Sequence, residues 1–360
     1  MLRSYRRKFV WLVSLVAVTL AAMAFAGCLG NEEVPGSWRE QAVAAELPHL
    51  AAMFSPLITG PSAWEQGGLL LAREDTADAA LTYYWFVPGK PPENTGMRFD
   101  ENLPGAAVKM VPLLTTPAGS IIWGSAAGQL RNAGGTALAL QTRPGAPLDL
   151  SFSDRFPGLT DELLGHGYSG IALYLAGDEV LVLEAKGKGE SDYFLLVPGE
   201  PPQELPLPEE DIACHGYDSG DLSLVLFTAA GKAYRLGSGS EGFVVDSSMR
   251  PSRSVPKGSS CVVGRRYLWV SSQAGVEGIP LDSRREPVLL PKRDLPEGDT
   301  LLNSSLASDK AFQAMHQRRK EWASARGAGL VSYFCSLTVI GDHILLVDAG
   351  FHRILELEPE

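Results

Sequence analysis

Two copies of a His-Gly-Tyr triplet are the most chemically loaded stretches of this 360-residue chain: His166-Gly167-Tyr168-Ser169-Gly170 and His215-Gly216-Tyr217-Asp218-Ser219-Gly220. An imidazole changes charge near neutrality, a phenol donates and accepts hydrogen bonds, and carboxylates follow closely at Asp161, Glu162, Glu210, Asp211 and Asp218. If the copies face one another they form an acidic, histidine-bearing funnel that could hold a divalent cation or a cationic ligand. The contact residues would be His166, Tyr168, His215, Tyr217 and Asp218. Recurrence at a 49-residue spacing equally suits a repeated structural corner, each His bonding the backbone of its own unit and each Gly supplying a special φ.

Little else in the chain carries linear chemistry. There is no G-x-S-x-G elbow, no H-E-x-x-H, no EF-hand loop and no pair of C-x-x-C motifs, so neither a metal nor a cofactor is expected. Gly237-Ser238-Gly239-Ser240-Glu241-Gly242 fits G-x-G-x-x-G but runs into the strand-like Phe243-Val244-Val245, which leaves no helix terminus for a phosphate. Cys214, Cys261 and Cys335 each precede an apolar run. They are expected as buried thiols in separate apolar niches, with at most one disulfide among them.

The elements that position these residues repeat. Tyr83 to Val87 runs into Pro88-Gly89-Lys90-Pro91-Pro92, Leu138 to Leu140 leads to Pro144-Gly145-Ala146-Pro147, and Tyr193 to Val197 runs into Pro198-Gly199-Glu200-Pro201-Pro202. A strand followed by Pro-Gly is a strand exit, because proline fixes φ and glycine permits positive φ. From Gly170 to Pro208 the pattern reads as four antiparallel strands, a sheet that must bury both faces against neighbours. Matching the registers places units near 66–115, 116–158, 160–208, 211–256, 258–297 and 333–360. The expected fold class is all-β: a β-propeller of about six four-stranded blades over 66–360, although the same spacing also permits a β-sandwich.

Three further segments flank or interrupt that body. Residues 28–65 read as a tether with a helix over 38–53 and a ring-closing strand at Pro56–Thr59, which the last unit needs because it has room for only three strands. Residues 301–326 read as an inserted amphipathic helix whose basic residues Arg318, Arg319 and Lys320 are a candidate docking face. The first 27 residues are a leader: Arg3, Arg6, Arg7 and Lys8, then the apolar run Phe9 to Ala26, then Phe25-Ala26-Gly27-Cys28.

That leader resembles a bacterial lipoprotein signal with its lipobox. The resemblance implies cleavage before Cys28, a diacylglycerol on its thiol, and palmitate-like acyl chains that hold the protein at the membrane. Phe25 departs from the aliphatic residue typical three places before the cysteine. Four bases and no acid precede Cys28, which leaves 27 bases against 42 acids and a net charge of −15. Such a surface repels phosphate backbones, which argues against nucleic-acid binding. The body also resembles, weakly, the six-bladed Tol-type periplasmic proteins, through units such as Ile279-Pro280-Leu281-Asp282 followed by Glu286-Pro287-Val288-Leu289-Leu290.

These observations together describe a lipid-anchored lipoprotein on the extracytoplasmic face of the cell membrane, or at the outer membrane in a cell with two. Its propeller would bind or scaffold an envelope protein or a small ligand. The alternative is a propeller-fold hydrolase or lyase acting on an envelope saccharide or peptide, which would need paired carboxylates with separated pKa values.

Overall fold

The computed structural model describes residues 41–46 and 67–73 and, with short gaps, 81–293 and 331–358. The leader with Cys28, the segment Pro56–Thr59, the inserted 301–326 with Arg318, Arg319 and Lys320, and residues 238–241 of the glycine-rich loop lie outside that range. No helix among the described residues is long and apolar enough to cross a membrane. The fold is all-β with few helices, and the polypeptide from Trp38 to Glu360 forms one compact unit.

Strand β1 (Gln41–Glu46) comes first, followed by a series of short antiparallel meanders. The first holds β2 (Gly68–Arg73), β3 (Leu81–Phe86) and β4 (Glu93–Arg98), and the second holds β5 (Val111–Thr115), β6 (Ile121–Gly124) and β7 (Leu138–Gln141). A 3-10 turn, Leu150–Arg155, and the helix α1, Leu159–His166, lead to the third: β8 (Gly170–Leu175), β9 (Leu181–Lys186), β10 (Ser191–Leu196) and β11 (Gln203–Glu204). The fourth is β12 (Ile212–Asp218), β13 (Leu224–Thr228), β14 (Ala233–Leu236) and β15 (Phe243–Asp246). The fifth is β16 (Ser260–Val263), β17 (Tyr267–Ser271), β18 (Gly275–Pro280) and β19 (Val288–Arg293), against which β20 (Val331–Ser332) lies in parallel. The sixth contains β21 (Cys335–Ile340), β22 (His343–Asp348) and β23 (Arg353–Leu357).

Strand β1 pairs antiparallel with β23 and so supplies the fourth strand of that last sheet. A closing strand from the amino end was expected, but at Pro56–Thr59, with a helix over 38–53. The alanine-rich Gln41–Glu46 instead forms a strand, because the open edge of β23 offers it a ladder of hydrogen bonds that outweighs a modest local helix preference. The second unit also begins earlier than its expected start at 116: Val111–Thr115 opens the second sheet rather than ending the first. Gly145 and Gly199 of the Pro-Gly turns take positive φ, as their role in strand exits requires.

Two-sided burial explains the composition of the strands. Every residue of Leu224–Thr228 and of Tyr267–Ser271 is buried, so both faces of the fourth and fifth sheets are covered. One apolar cluster runs from Leu114 through Phe194 and Tyr217 to Trp269 and Leu355. Others join the first sheet to the second through Tyr83 and Trp123, and the fourth to the fifth through Phe227 and Val270.

The first strands of consecutive sheets touch: β5 packs on β8, the Tyr217 hydroxyl on β12 donates to the Leu173 carbonyl on β8 at 3.1 Å, and β16 packs on β21. Between β12 and β16 the approach is close enough for a parallel ladder, with Gly216 opposite Cys261. A Cβ on Gly216 would lie 1.7 Å from the Cys261 carbonyl oxygen, so only glycine permits that ladder. Glu358 clasps the fifth and sixth sheets: it sits at φ 57° and its carboxylate accepts from the amides of Arg266 and Tyr267 and from Trp269 Nε1, at 2.9, 3.0 and 2.8 Å. Those bonds hold a non-glycine residue in a region that costs about 1–2 kcal/mol.

Gly216→Ala is expected to lower unfolding stability by on the order of 3 kcal/mol through backbone displacement. Gly165→Ala, on α1 where nothing lies within 4 Å of an added methyl, is expected to raise it by up to about 1 kcal/mol. Urea denaturation midpoints of the two variants check both.

Candidate functional site

The two His-Gly-Tyr copies are not equivalent in three dimensions. The first straddles the end of α1 and the start of β8, because Leu159-Thr160-Asp161-Glu162-Leu163-Leu164 places acids in a first helical turn and leucines on one side. The second lies inside β12, where the apolar Ile212-Ala213-Cys214 carries the chain straight into a strand. His166 ends the helix, and its side chain lies outside the described residues. Tyr168 is buried and donates to Asp192 Oδ2 at 2.7 Å. Asp218 turns toward the opposite face of its sheet and pairs with Arg235, which also holds Asp246 at 2.6 Å. His215 and Tyr217 are the two expected residues that the fold brings together, both on the face of β12 toward the third sheet.

What they meet there was not anticipated. Glu184 on β9 is 2% exposed, and its carboxylate accepts from the hydroxyls of Tyr174 at 2.7 Å and Ser191 at 2.8 Å. His215 Nε2 approaches the same carboxylate at 3.5 Å from the neighbouring sheet, and Lys186 Nζ lies 3.9 Å away at the rim. The rings of Tyr174 and Tyr193 stand edge-on to the imidazole at 6.2 and 6.4 Å. Burial by itself would raise the Glu184 pKa, but the His215 hydrogen bond and charge, with Lys186 and Tyr174, overcome it and hold the carboxyl at about 2. Burial also pushes the phenols of Tyr174 and Tyr217 well up, so they remain neutral donors. One signal in the sequence marks this site: a lone glutamate in the otherwise apolar strand Leu181-Val182-Leu183-Glu184-Ala185.

The arrangement orients an imidazole and keeps a carboxylate ionised. The Glu184 carboxyl itself is no general acid at neutral pH, since a carboxyl held at about 2 has no proton to give. Burial raises the pKa of Asp348, but that carboxyl belongs to the sixth sheet, where Arg353 Nε at 3.1 Å and the Ser332 amide hold it. Glu184 and Asp348, whose shifts are opposite, thus belong to different sheets and have separate partners. The thiols are similarly unsuited to attack. Cys214 and Cys261, expected in separate niches, share one apolar cluster between the fourth and fifth sheets, and both are free. Burial raises Cys261 well above a normal thiol and Cys335 to about 12, the opposite of an activated nucleophile. Among the described residues no three His, Cys, Asp or Glu side chains group as metal ligands.

No protein family and no curated protein sequence matches the chain. Among solved structures, it is similar to a gluconolactonase of Xanthomonas campestris, at 12% identity over 87% of this chain and 98% of that one, with a TM-score of 0.39. YCF48 of Cyanidioschyzon merolae is similar at 10% identity over 89% and 99%, with a TM-score of 0.42. TolB of Acinetobacter baumannii follows at 11% identity over 91% and 65%, with a TM-score of 0.36. These likenesses are loose, and the architecture rests on the strand pairing itself.

Glu184→Gln should destabilise the protein, and the pH dependence gives the sign. A carboxyl whose folded pKa is depressed from 4.5 to about 2 contributes stability that is complete above pH 4.5 and is lost as pH falls through 2. The difference in unfolding free energy between wild type and variant is therefore expected to be on the order of 3 kcal/mol at pH 6 and to shrink steadily between pH 4.5 and 2. Denaturant titrations across that range measure it.

Proposed function

We propose that the protein is a lipid-anchored β-propeller of about six blades on the outer side of the cell membrane, where it binds a ligand or partner without breaking bonds. The observation that carries the architecture is the pairing of β1 with β23: the amino end supplies the outer strand of the last sheet, as a ring closed on itself requires. Contacts between the first strands of successive sheets support the same arrangement, since blades meet along their innermost strands. The leader supports the anchor. Cys28 lies only 13 positions before Gln41, so a lipid there would tether the ring through a segment of at most roughly 45 Å. Two or three acyl chains hold a protein stably where one does not.

Binding is favoured over hydrolysis by the chemistry at the joint of the third and fourth sheets. His215 has Glu184 to orient it, yet no hydroxyl or thiol hydrogen-bonds it among the described residues, so the pair lacks the nucleophile that an oriented imidazole would serve. The acidic body, at −15 without the leader, argues against nucleic acid as a partner.

Mass spectrometry of the membrane-extracted protein tests the anchor. The expected mature terminus is Cys28 carrying a diacylglycerol with palmitate-length chains, and Cys28→Ser is expected to leave the unprocessed precursor in the membrane fraction. A mature terminus at another residue, or an unmodified Cys28, overturns the reading.

A further inference from the structure

We propose that β15, the outermost strand of the fourth sheet, pairs edge to edge with β15 of a second copy of this chain; this goes beyond the ligand-binding reading and does not depend on the anchor. An outermost strand exposes unpaired backbone groups, and folds protect such edges with bulges, prolines, charge, shortness or cover. The other outer edges carry these devices. The β3–β4 ladder shifts register between Thr82 and Tyr84, and β4 holds Gly96 at φ 72° and exposes Glu93. Strand β1 shifts register between Val43 and Ala45, and β7 is bridged at Leu140 by Asp149. Strand β11 is two residues long, and β19 is covered by the buried β20. By contrast, β15 pairs with β14 in unbroken register, contains no proline, and turns its single charge, Asp246, to Arg235 at 2.6 Å. No described strand lies beyond it, and Val244 and Val245 are 40% and 51% exposed.

The ladder geometry selects the partner. Gly237 donates to the carbonyl of Gly242, directly opposite, at 2.7 Å, and bonded pairs alternate along an antiparallel ladder. Arg235 and Val244 are therefore a bonded pair, which leaves Phe243 and Val245 with N–H and C=O groups turned to the open edge. A twofold axis that sets Phe243 against Val245 of the second copy, and Val245 against its Phe243, satisfies all of those groups. Val244 then meets Val244 of the second copy at the close, non-bonded position, with about 4.5 Å between Cα atoms. All three positions are apolar, and the next pair sets Gly242, not a second carboxylate, against Asp246. Phe243 and Val245 share the face toward the third sheet, where Phe243 packs on Tyr193 at 5.8 Å. Leu207, 41% exposed, adds apolar surface near that face, since a Cβ on Gly242 would lie 2.8 Å from the adjoining Pro206. The contact is small, so the pairing is reversible.

Cross-linking of the purified full chain in detergent, with copper phenanthroline as oxidant, tests the register. Val244→Cys is expected to give a disulfide-linked species of twice the chain mass, because the axis sets that position against itself. Leu289→Cys, 47% exposed at the wild-type leucine and placed on the outer strand of the fifth sheet, is expected to give no more of it than the native cysteines do. Adding Val245→Lys to Val244→Cys places a charge on the open edge and should abolish the linked species. The doubly substituted chain should keep the urea midpoint of Val244→Cys alone, since an exposed side chain supports little of the core, whereas a purely structural role for Val245 would lower it. Light scattering of the unsubstituted chain should show a mass that falls from two copies toward one on dilution. No linked species from Val244→Cys, equal linking at Leu289→Cys, linking to other proteins only, persistence of the species with Val245→Lys, or a single-copy mass at every concentration overturns the proposal.

Discussion

A sheet that is apolar on both faces cannot stand alone in water, and most of this structure follows from that constraint. Strands such as Leu224–Thr228 and Tyr267–Ser271 carry no polar face to turn outward, so each sheet must be covered on both sides by its neighbours. Stacking along one direction would leave two terminal sheets half exposed. Here the chain limits that exposure by meeting first strand against first strand and by bringing its amino-terminal strand back to the carboxy-terminal sheet. Gly216 is the point where the constraint is tightest, since the two backbones approach until no side chain fits between them.

A polar site inside such a stack is expensive unless every member is satisfied. Glu184 meets that condition by accepting two hydroxyl donors from its own sheet and an imidazole from the next, so a charge is kept in an otherwise apolar joint. Tyr168 with Asp192, and Asp348 with Arg353 and Ser332, solve the same problem locally. Glu358 solves it between the fifth and sixth sheets by accepting from two amides and an indole.

The expectations that the structure changed share a cause. Recurrence of His-Gly-Tyr suggested equivalent corners, but the residues just before each copy decide whether it follows a helix or enters a strand. Gln41–Glu46 suits a helix in isolation and becomes a strand when β23 offers an edge. Cys214 and Cys261 were expected in separate niches because they hold equivalent positions in successive units, yet the close approach of β12 and β16 puts both in one apolar cluster. Local pattern describes what a segment tolerates, whereas pairing selects among the tolerated forms.

Some features were legible in the residues alone. The Pro-Gly strand exits, the continuous apolar runs and the four-strand unit from Gly170 to Pro208 determined an all-β chain of repeated meanders, because turn chemistry and two-sided burial are written over a few neighbouring positions. The acidic surplus was likewise readable from composition. The site was not. Glu184, Ser191, Tyr174, Tyr193 and His215 come from β8, β9, β10 and β12, and only folding reveals that a glutamate in one strand and a histidine 31 positions later approach to 3.5 Å. Distances between strands of different sheets depend on how the backbones stack, and that information belongs to the packing of the whole chain, not to any stretch of it.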